Sequence, residues 1–315
     1  MRGAIVGFGN IAEQGHLPAY RKLGVDIVAV ADLCPSRRRL AKEYGLRSYS
    51  DMNSLVEKEE VDFIDLCTPP NYRINAFKIA LEHGLDVMCE KPIAHMSDIM
   101  EVKKIARNGG SFFFPVHNWK YAPHYRKIKE VINGDSDIQM TTLRTSYGRG
   151  NHDWNPDWRV DCTISGGGIL MDHGYHSIYL AMYLMDAEFR SAKLRSIAYF
   201  DDSDIEKIIS FELAFSKGRR AVINLDWCAG KREILNVVKT MNKRVELLEN
   251  RITYGDQVYE FEYNLSHDSV HSEWYLGVIS EFLEKRNTGD KKFFLEGAMI
   301  IEATGELYEQ AEKGR

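Results

Sequence analysis

Residues 7–12, Gly7-Phe8-Gly9-Asn10-Ile11-Ala12, follow an apolar run and open an amphipathic segment, and they decide the fold. The first glycine permits a tight turn, and the second lets the backbone approach a pyrophosphate. The small residue Ala12 lets helix and strand pack closely. Phosphates bind well at the N–H groups of a helix N-terminus. This glycine loop therefore predicts a dinucleotide site with contacts from Gly7, Phe8, Gly9, Asn10 and Ile11.

An aspartate ends the second apolar run, Ile27–Ala31, at the distance of about twenty residues expected for a ribose-binding carboxylate. Asp32 would repel a ribose 2′-phosphate, which favours NAD over NADP. Three arginines, Arg37, Arg38 and Arg39, follow closely and are able to pair with such a phosphate. The sequence therefore predicts NAD as the cofactor and leaves NADP open.

The first third of the chain alternates short apolar runs with amphipathic segments, which is typical of βαβ units. The runs are nearly continuous, as expected for a parallel sheet covered by helices on both faces. The pattern predicts an α/β fold that begins with a doubly wound parallel sheet of the Rossmann type. The predicted strands are Ala4–Phe8, Ile27–Ala31, Phe63–Cys67, Asp86–Cys89 and Phe112–Val116.

The periodicity changes near residue 118, which predicts a dinucleotide-binding domain at 1–118 and a second α/β domain at 119–315. Runs at 209–215 and 221–227 alternate with period two around Ser216-Lys217-Gly218, which predicts an antiparallel hairpin with one covered face. Helical patterns precede this hairpin at 124–132 and 169–185. Two more, at 270–284 and 295–312, close the chain.

Composition narrows the class of protein. A chain of 315 residues is about twice the usual domain length of roughly 150. With 41 Lys and Arg against 46 Asp and Glu, the net charge of −5 argues against a nucleic-acid partner. Five scattered cysteines without a C-x-x-C pair favour a reducing compartment. Because no signal peptide or spanning run is evident, we expect a cytoplasmic protein without a membrane partner.

Glu90-Lys91-Pro92 lies at the carboxyl end of a predicted strand, the side on which doubly wound sheets bind ligands. A lysine there acts as an acid or base, or polarises a substrate oxygen. The tripeptide alone is equally typical of an exposed ion pair before a turn proline.

A third motif runs from Gly166-Gly167-Gly168 through Asp172 to His176. The aspartate and histidine are four residues apart and share one face of an α-helix. Histidine exchanges protons near neutral pH, and a carboxylate can orient its ring. A metal site is not predicted, because His173 and His176 lack the i, i+4 spacing of a helical zinc site. Upstream, Trp154, Trp158 and Arg159 are candidates for a polar, sugar-sized pocket.

With these three motifs in this order, the chain resembles the Gfo/Idh/MocA oxidoreductases, the group of glucose-fructose oxidoreductase and inositol dehydrogenase. The resemblance covers most of the chain. Further matches are Cys67-Thr68-Pro69-Pro70, Asn118-Trp119-Lys120-Tyr121 and Asp157-Trp158-Arg159.

The resemblance implies a Rossmann domain followed by an α/β domain with an open, mainly antiparallel sheet that shapes the substrate site and an oligomer interface. It implies Lys91, Asp172 and His176 as the catalytic group, and a Lys91-Pro92 bond that is often cis. It places Thr68, Pro69, Asn71, Glu90 and Lys91 near the cofactor, and Lys120, Tyr121, Trp158 and Arg159 near the substrate. Departures from the family pattern occur at Arg73, where many members have histidine, at Lys120, where arginine is common, and at the turn 134–137.

These observations predict an NAD(P)-dependent oxidoreductase that moves a hydride between nicotinamide and a hydroxyl-bearing carbon of a sugar, polyol or related molecule. We expect a homo-oligomer, either a dimer or a tetramer. Two alternatives stay open. One is a hydrolase that uses NAD transiently and cleaves a glycosidic bond without net redox change. The other is a cofactor-binding regulator without turnover.

Overall fold

The structure, a computed structural model, describes residues 1–147, 158–267 and 272–314. The chain divides into two compact units. One comprises Met1–Asn118 with Val270–Met299, and the other comprises Trp119–Ser269 with Ile300–Arg315. The first unit thus contains a C-terminal segment, 270–299, that the sequence-based division assigned to the second domain. The division of roles between 1–118 and 119–315 stays a prediction.

The first unit contains a parallel six-stranded sheet in the order β3-β2-β1-β4-β5-β6. This strand order is that of a dinucleotide-binding Rossmann sheet, and it confirms the predicted fold class. The apolar runs form buried central strands, as predicted. The strands are β1 Arg2–Val6, β2 Asp26–Ala31, β3 Arg47–Tyr49, β4 Phe63–Leu66, β5 Asp86–Cys89 and β6 Phe113–Pro115.

Helices connect the strands, and local signals set their ends. Proline occupies the first turn of the helix at 35–43, and the Asp51 carboxylate caps the next helix by accepting from the Ser54 N–H at 2.8 Å. The helices are α1 Leu17–Lys22, α2 Pro35–Glu43, α3 Met52–Val56, α4 Arg73–Glu82, α5 Ile99–Asn108, α6 Pro123–Val131, α7 Cys162–Ser165, α8 Tyr175–Met185, α9 Ser272–Lys285 and α10 Lys292–Lys313.

Helix α9 belongs to the first unit because its apolar face packs on the first sheet. The ring of Phe282 lies 5.3 Å from that of Phe63 and 5.9 Å from that of Phe114. Its amphipathic pattern predicted a helix but could not name the partner, since periodicity reports a face and not what covers it.

The second unit contains an eight-stranded sheet in the order β14-β13-β12-β11-β7-β10-β9-β8. The β7–β10 pair is parallel and the other pairs are antiparallel, which confirms the open, mainly antiparallel sheet. The strands are β7 Gln139–Thr145, β8 Phe189–Tyr199, β9 Glu206–Phe215, β10 Arg220–Asp226, β11 Glu233–Lys239, β12 Arg244–Leu248, β13 Arg251–Tyr254 and β14 Gln257–Glu260.

The predicted hairpin is present as β9 and β10, joined by a turn with positive φ at Lys217 and Gly218. The alternating residues of both strands are buried on one face, as their period-two pattern predicts. These residues are Ile209, Phe211, Leu213, Phe215, Ala221, Ile223, Leu225 and, just past the strand, Trp227. In the described ranges, none of the helices has the length and apolar character needed to cross a bilayer.

Candidate functional site

The glycine loop has the conformation that its sequence requires. Gly7 adopts φ +90°, and a Cβ there would lie 2.9 Å from the carbonyl carbon of Cys67, so a side chain is excluded. A Cβ on Gly9 would meet no atom within 4 Å, so the backbone there is open to a close-lying ligand. Phe8 is buried, Ile11 is half-buried and Asn10 is exposed.

Asp32 ties the glycine loop to the end of β2. Its Oδ2 accepts from the Phe8 N–H at 2.6 Å, and its Oδ1 accepts from the Cys34 N–H at 2.7 Å. Each carboxylate oxygen has a second acceptor site, so these bonds leave capacity for ribose hydroxyls.

Two of the three arginines that follow Asp32 already have partners within the unit. Arg37 lies 3.0 Å from the Glu13 carboxylate and also donates to the Asn10 amide oxygen. Arg38 donates to the backbone carbonyls of Asp32 and Leu33. An incoming phosphate would therefore compete with existing acceptors.

The turn after β4 presents polar atoms suited to a cofactor. Thr68 Oγ1 and Asn71 Oδ1 are buried and lack a hydrogen-bond partner within the described residues. Buried polar atoms are normally satisfied, so this pair indicates an additional group in the functional state. Pro69 is half-buried between them and leads into a 3₁₀ turn at Pro70–Tyr72. These residues fit the cofactor role that the sequence predicted.

Glu90, Lys91 and Pro92 follow β5 at its carboxyl end, as predicted, and the Lys91-Pro92 bond is cis. Lys91 is half-buried, and Glu90 is buried. The Glu90 Oε2 atom accepts from the Lys91 N–H at 3.0 Å. The glutamate side chain thus supports the backbone from which the lysine projects.

A buried polar cluster that the sequence analysis missed adjoins Glu90. We call it the His16 cluster, and it consists of His16, Asp65, Cys67, Glu90 and Tyr275. The histidine lies in a widened π turn, Ala12–His16, rather than the α-helical turn expected after the glycine loop. A signal was present in the sequence: Asp65 is a carboxylate within an apolar strand, and buried charges are normally paired.

The charges of the His16 cluster stabilise one another. Burial alone would lower the pKa of His16, but its interactions with Asp65 and, to a smaller extent, with Cys67 together raise that pKa well above its ordinary value. Burial alone would raise the pKa of Glu90, but the hydrogen bond and charge of His16 lower it. Burial raises the pKa of the Cys67 thiol to about 12, so this sulfur stays protonated.

Arg73, one of the three departures from the family pattern, is buried beside this cluster. Its Nε donates to the Thr68 carbonyl at 2.9 Å, and its Nη1 donates to the Glu90 carbonyl. One guanidinium therefore joins the turn after β4 to the turn after β5.

In the second unit, the triple glycine serves packing within the fold. Glu206 accepts from the N–H groups of Gly168 and Leu170 and from the Tyr308 hydroxyl, at 2.7–2.9 Å. A Cβ on Gly168 would collide with the Glu206 backbone, and one on Gly167 would collide with Tyr308. Burial raises the pKa of Glu206, although its hydrogen bonds partly oppose the shift.

Asp172 lies in a second π turn, Leu170–Gly174, which precedes α8. Its Oδ2 is 3.6 Å from Arg159 Nε and 3.7 Å from His173 Nε2. The Arg159 guanidinium also lies 4.5 Å over the Trp158 ring. The structure therefore brings together one predicted catalytic residue and two predicted substrate residues. Trp154 and Asp157 lie outside the described residues.

His176, in the first turn of α8, is buried against aromatic groups. Its Nδ1 is 2.8 Å from the Tyr179 hydroxyl, and its ring lies 5.1 Å from the Trp119 ring at an interplanar angle of 33°. The backbone N–H of Trp119 donates to the Tyr179 hydroxyl oxygen at 3.2 Å. The Arg144 guanidinium lies 4.4 Å over the Trp119 ring. Lys120 and Tyr121 follow in the same 3₁₀ turn and are half-buried.

Comparison with known proteins identifies the family of both parts of the chain. Residues 1–117 match the model of an oxidoreductase family with an NAD-binding Rossmann fold. Residues 125–248 match the C-terminal domain model of the same GFO/IDH/MocA group. These matches confirm the resemblance predicted from the motifs and the predicted nicotinamide cofactor class.

The curated relatives include sugar and polyol dehydrogenases. D-glucoside 3-dehydrogenase of Escherichia coli is 31% identical over 193 residues, 59% of this chain and 54% of that protein. Myo-inositol 2-dehydrogenase of Thermotoga maritima is 25% identical over 194 residues, 60% of this chain and 56% of that protein. The chain spans little more than half the length of these relatives.

Among solved structures, a levoglucosan dehydrogenase in complex with NADH has a TM-score of 0.85 with this chain. The two chains are 16% identical, and the match covers 99% of this chain and 97% of the other, so the likeness concerns the fold. Two domain models of one family, matched in the expected order, decide the assignment. The chain belongs to the GFO/IDH/MocA family of oxidoreductases with an NAD-binding Rossmann fold.

Proposed function

We propose that this protein is an NAD-dependent dehydrogenase that oxidises a hydroxyl-bearing carbon of a sugar or polyol. The observation that carries the proposal is the setting of His176, a buried imidazole whose Nδ1 lies at hydrogen-bond distance from the neutral hydroxyl of Tyr179. The family's NAD-binding fold and relatives named as sugar and polyol dehydrogenases support the same class of reaction.

NAD is the proposed cofactor, in preference to NADP. It would be held by the glycine loop, Asp32, the Thr68–Asn71 turn and the Glu90-Lys91 pair. The free carboxylate capacity of Asp32 suits ribose hydroxyls and repels a 2′-phosphate. Arg37 is already paired with Glu13, so a phosphate gains little there.

Asp32→Asn tests this preference. We expect the ratio of NADP to NAD dissociation constants to fall about tenfold, about 1.4 kcal/mol, because the repelling charge is removed. Titration calorimetry with both nucleotides measures the ratio. Asp26→Asn, at the exposed start of β2, is the matched control. An unchanged ratio in Asp32→Asn would remove this role of Asp32.

His176 is the proposed general base. Bound NAD supplies the acceptor for the hydride that leaves the substrate carbon. His176 takes the hydroxyl proton at Nε2, which requires Nδ1–H to donate to the Tyr179 oxygen. That oxygen already accepts from the Trp119 N–H, and its second lone pair permits both bonds. General base catalysis of this kind contributes roughly 10²- to 10⁴-fold.

Lys91 is proposed to hold and polarise the hydroxyl oxygen as negative charge develops on it. An ammonium stabilises such charge electrostatically. Asp172 is proposed to fix a neighbouring substrate hydroxyl, with its orientation set by Arg159 at 3.6 Å. Lys120, Tyr121 and Trp158 are proposed as further substrate contacts, in keeping with a polyhydroxyl ligand that offers many donors and acceptors.

Domain roles and assembly follow the same proposal. Residues 1–118 would bind the nucleotide, and residues 119–315 would bind the substrate and form a homo-oligomer.

The second sheet carries an in-register row of leucines, Leu143, Leu235 and Leu248, on the face opposite its buried side chains. Leu248 is 43% exposed. Light scattering should find a dimer or tetramer that Leu235→Glu dissociates. A monomeric wild type would refute the assembly.

The five cysteines all lie in the described residues and none of them forms a disulfide there, which supports a reducing, cytoplasmic location. Fractionation of the native host cell tests this location directly. Recovery of the protein in an oxidising compartment would contradict it.

A substrate panel of sugars and polyols tests the reaction itself. We expect NADH to accumulate in proportion to an oxidised product. Absorbance at about 340 nm measures the NADH. Release of free sugar without NADH would favour the hydrolase that uses NAD transiently. NAD binding without any product would favour the regulator.

A further inference from the structure

The His16 cluster places one imidazole between two carboxylates inside the first unit. His16 Nδ1 is 2.7 Å from Asp65 Oδ2, and His16 Nε2 is 3.1 Å from Glu90 Oε1. His16 and Asp65 are fully buried. Because a carboxylate is an acceptor, both ring nitrogens must donate to complete these bonds. Only the imidazolium carries a proton on each nitrogen.

The charges around the imidazole favour that form. Asp65 and Glu90 contribute two negative charges, and positive charge from Lys91 and the buried Arg73 acts on Glu90. A cationic His16 adds the positive charge that lies against the fully buried Asp65, 2.7 Å away. An uncompensated buried charge is costly.

The remaining groups that face the cluster are a thiol, two hydroxyls and the Lys91 ammonium. The Cys67 thiol lies 3.7 Å from His16 Nδ1, and the Tyr275 hydroxyl donates to Glu90 Oε1 at 3.2 Å. The Tyr20 hydroxyl interacts with Asp65, and burial followed by the charge of Asp65 raises the pKa of this phenol. Lys91 follows Glu90 in the chain, and its charge helps to lower the pKa of that carboxylate.

The same atoms are too close together for a metal centre. His16, Asp65 and Cys67 offer three ligand types within 4.8 Å. Ligands of one tetrahedral zinc ion stand about 2.0–2.3 Å from the metal and therefore more than about 3 Å from one another. A nitrogen–oxygen distance of 2.7 Å is that of a charge-assisted hydrogen bond.

We propose that His16 is held as an imidazolium that bridges Asp65 to Glu90 and so positions the Glu90-Lys91-Pro92 turn. His16 is a positioning residue. It fixes the Glu90 carboxylate, whose Oε2 accepts the Lys91 N–H. The effect on turnover rests on the proposed function of Lys91, whereas the protonation state of His16 does not.

Nitrogen NMR of the full chain, labelled at its histidines with ¹⁵N, measures that state directly. We expect the His16 nitrogens to keep the imidazolium pattern from about pH 6 to about pH 9, whereas exposed histidines titrate near pH 6.5. The signal is identified by its loss in His16→Gln or, if that variant does not fold, by its displacement in Asp65→Asn. A neutral His16 at about pH 7 would overturn the proposal.

Charge-balanced variants test the positioning role. His16→Gln keeps hydrogen-bonding atoms but removes the buried cation, whereas His16→Gln/Asp65→Asn also removes the carboxylate that this cation neutralises. We expect the single variant to lower turnover about tenfold or more and the double variant to recover most of it, a coupling expected of contacting charges. His83→Gln, on an exposed residue, is the matched control.

The outcomes separate the two proposals. If removal of His16 acts only through lost packing, the double variant will be no better than the single one, and the positioning role fails. If no substrate is oxidised while His16 keeps the imidazolium pattern, the proposed dehydrogenase function fails and the charged bridge stands.

Discussion

Two buried histidines, one in each unit, are held by different kinds of neighbour. His16 lies between the carboxylates of Asp65 and Glu90. His176 lies against a phenol hydroxyl and an indole ring. Opposite charges favour the charged form of a group, whereas neutral partners favour neither form strongly. The comparison therefore supports the proposed fixed charge on His16 and the proposed proton exchange at His176.

The same contrast separates two buried glutamates. Glu90 has a cationic partner, which lowers its pKa against the effect of burial. Within the described residues, the donors to Glu206 are neutral, and burial raises its pKa. Ion pairs thus support the carboxyl ends of β4 and β5, and neutral hydrogen bonds support the start of α8.

Removing the exchanging histidine should have the largest effect. We expect His176→Ala to lower kcat by roughly 10²- to 10⁴-fold, because the general base is lost. The NAD dissociation constant should change less than about twofold, since His176 is not one of the proposed nucleotide contacts. Steady-state kinetics and calorimetry measure both, with His83→Ala as the control. Near-normal turnover would withdraw the assignment.

Removing the ammonium of Lys91 should have the second-largest effect on turnover. We expect Lys91→Met to lower kcat about 10²-fold, because the developing oxyanion loses one electrostatic partner. Lys42→Met, at an exposed position on α2, is the matched control. If KM for the substrate rises and kcat stays constant, Lys91 contributes to binding only.

The neutral partner of His176 can be tested separately. Tyr179→Phe removes the hydroxyl that lies 2.8 Å from Nδ1 and leaves the ring in place. We expect kcat to fall about tenfold and its pH profile to move, because the tautomer is no longer fixed. A lower melting temperature with an unchanged pH profile would indicate a purely structural role.

The smallest effect concerns the pH dependence of stability. The pKa of Glu206 is higher in the folded protein than in the unfolded chain. Its contribution to the free energy of unfolding is therefore complete below the ordinary glutamate pKa and is lost as pH rises through the folded pKa. Glu206→Gln should remove this loss and raise Tm by a few degrees at neutral pH relative to acid. If Tm changes with pH in the same way in both proteins, the raised pKa of Glu206 is contradicted.

The sequence was informative wherever a local pattern determines structure. Gly7 was expected in a tight turn because only glycine tolerates its φ of +90°, and the alternation at 209–215 predicted both the hairpin and its buried face. The carboxylate of Asp32 was expected at the end of β2 because this residue directly follows the second apolar run. These features depend on neighbours in sequence.

The His16 cluster could not be predicted in this way, because its members come from four separate segments of the chain. His16 and Glu90 are 74 residues apart, and Glu90 and Tyr275 are 185 apart. The two π turns were also missed, since a 3.6-residue period describes an α-helix and carries no signal for a widened turn. The catalytic roles of Lys91, Asp172 and His176 stay predictions.

Deuterium transfer tests the central proposal most directly. A substrate found in the panel is labelled at the carbon to be oxidised and incubated with the protein and NAD. The account predicts one deuterium at C4 of the nicotinamide of NADH for each oxidised product, detected by NMR. Deuterium released to water, or product formed without labelled NADH, would contradict it.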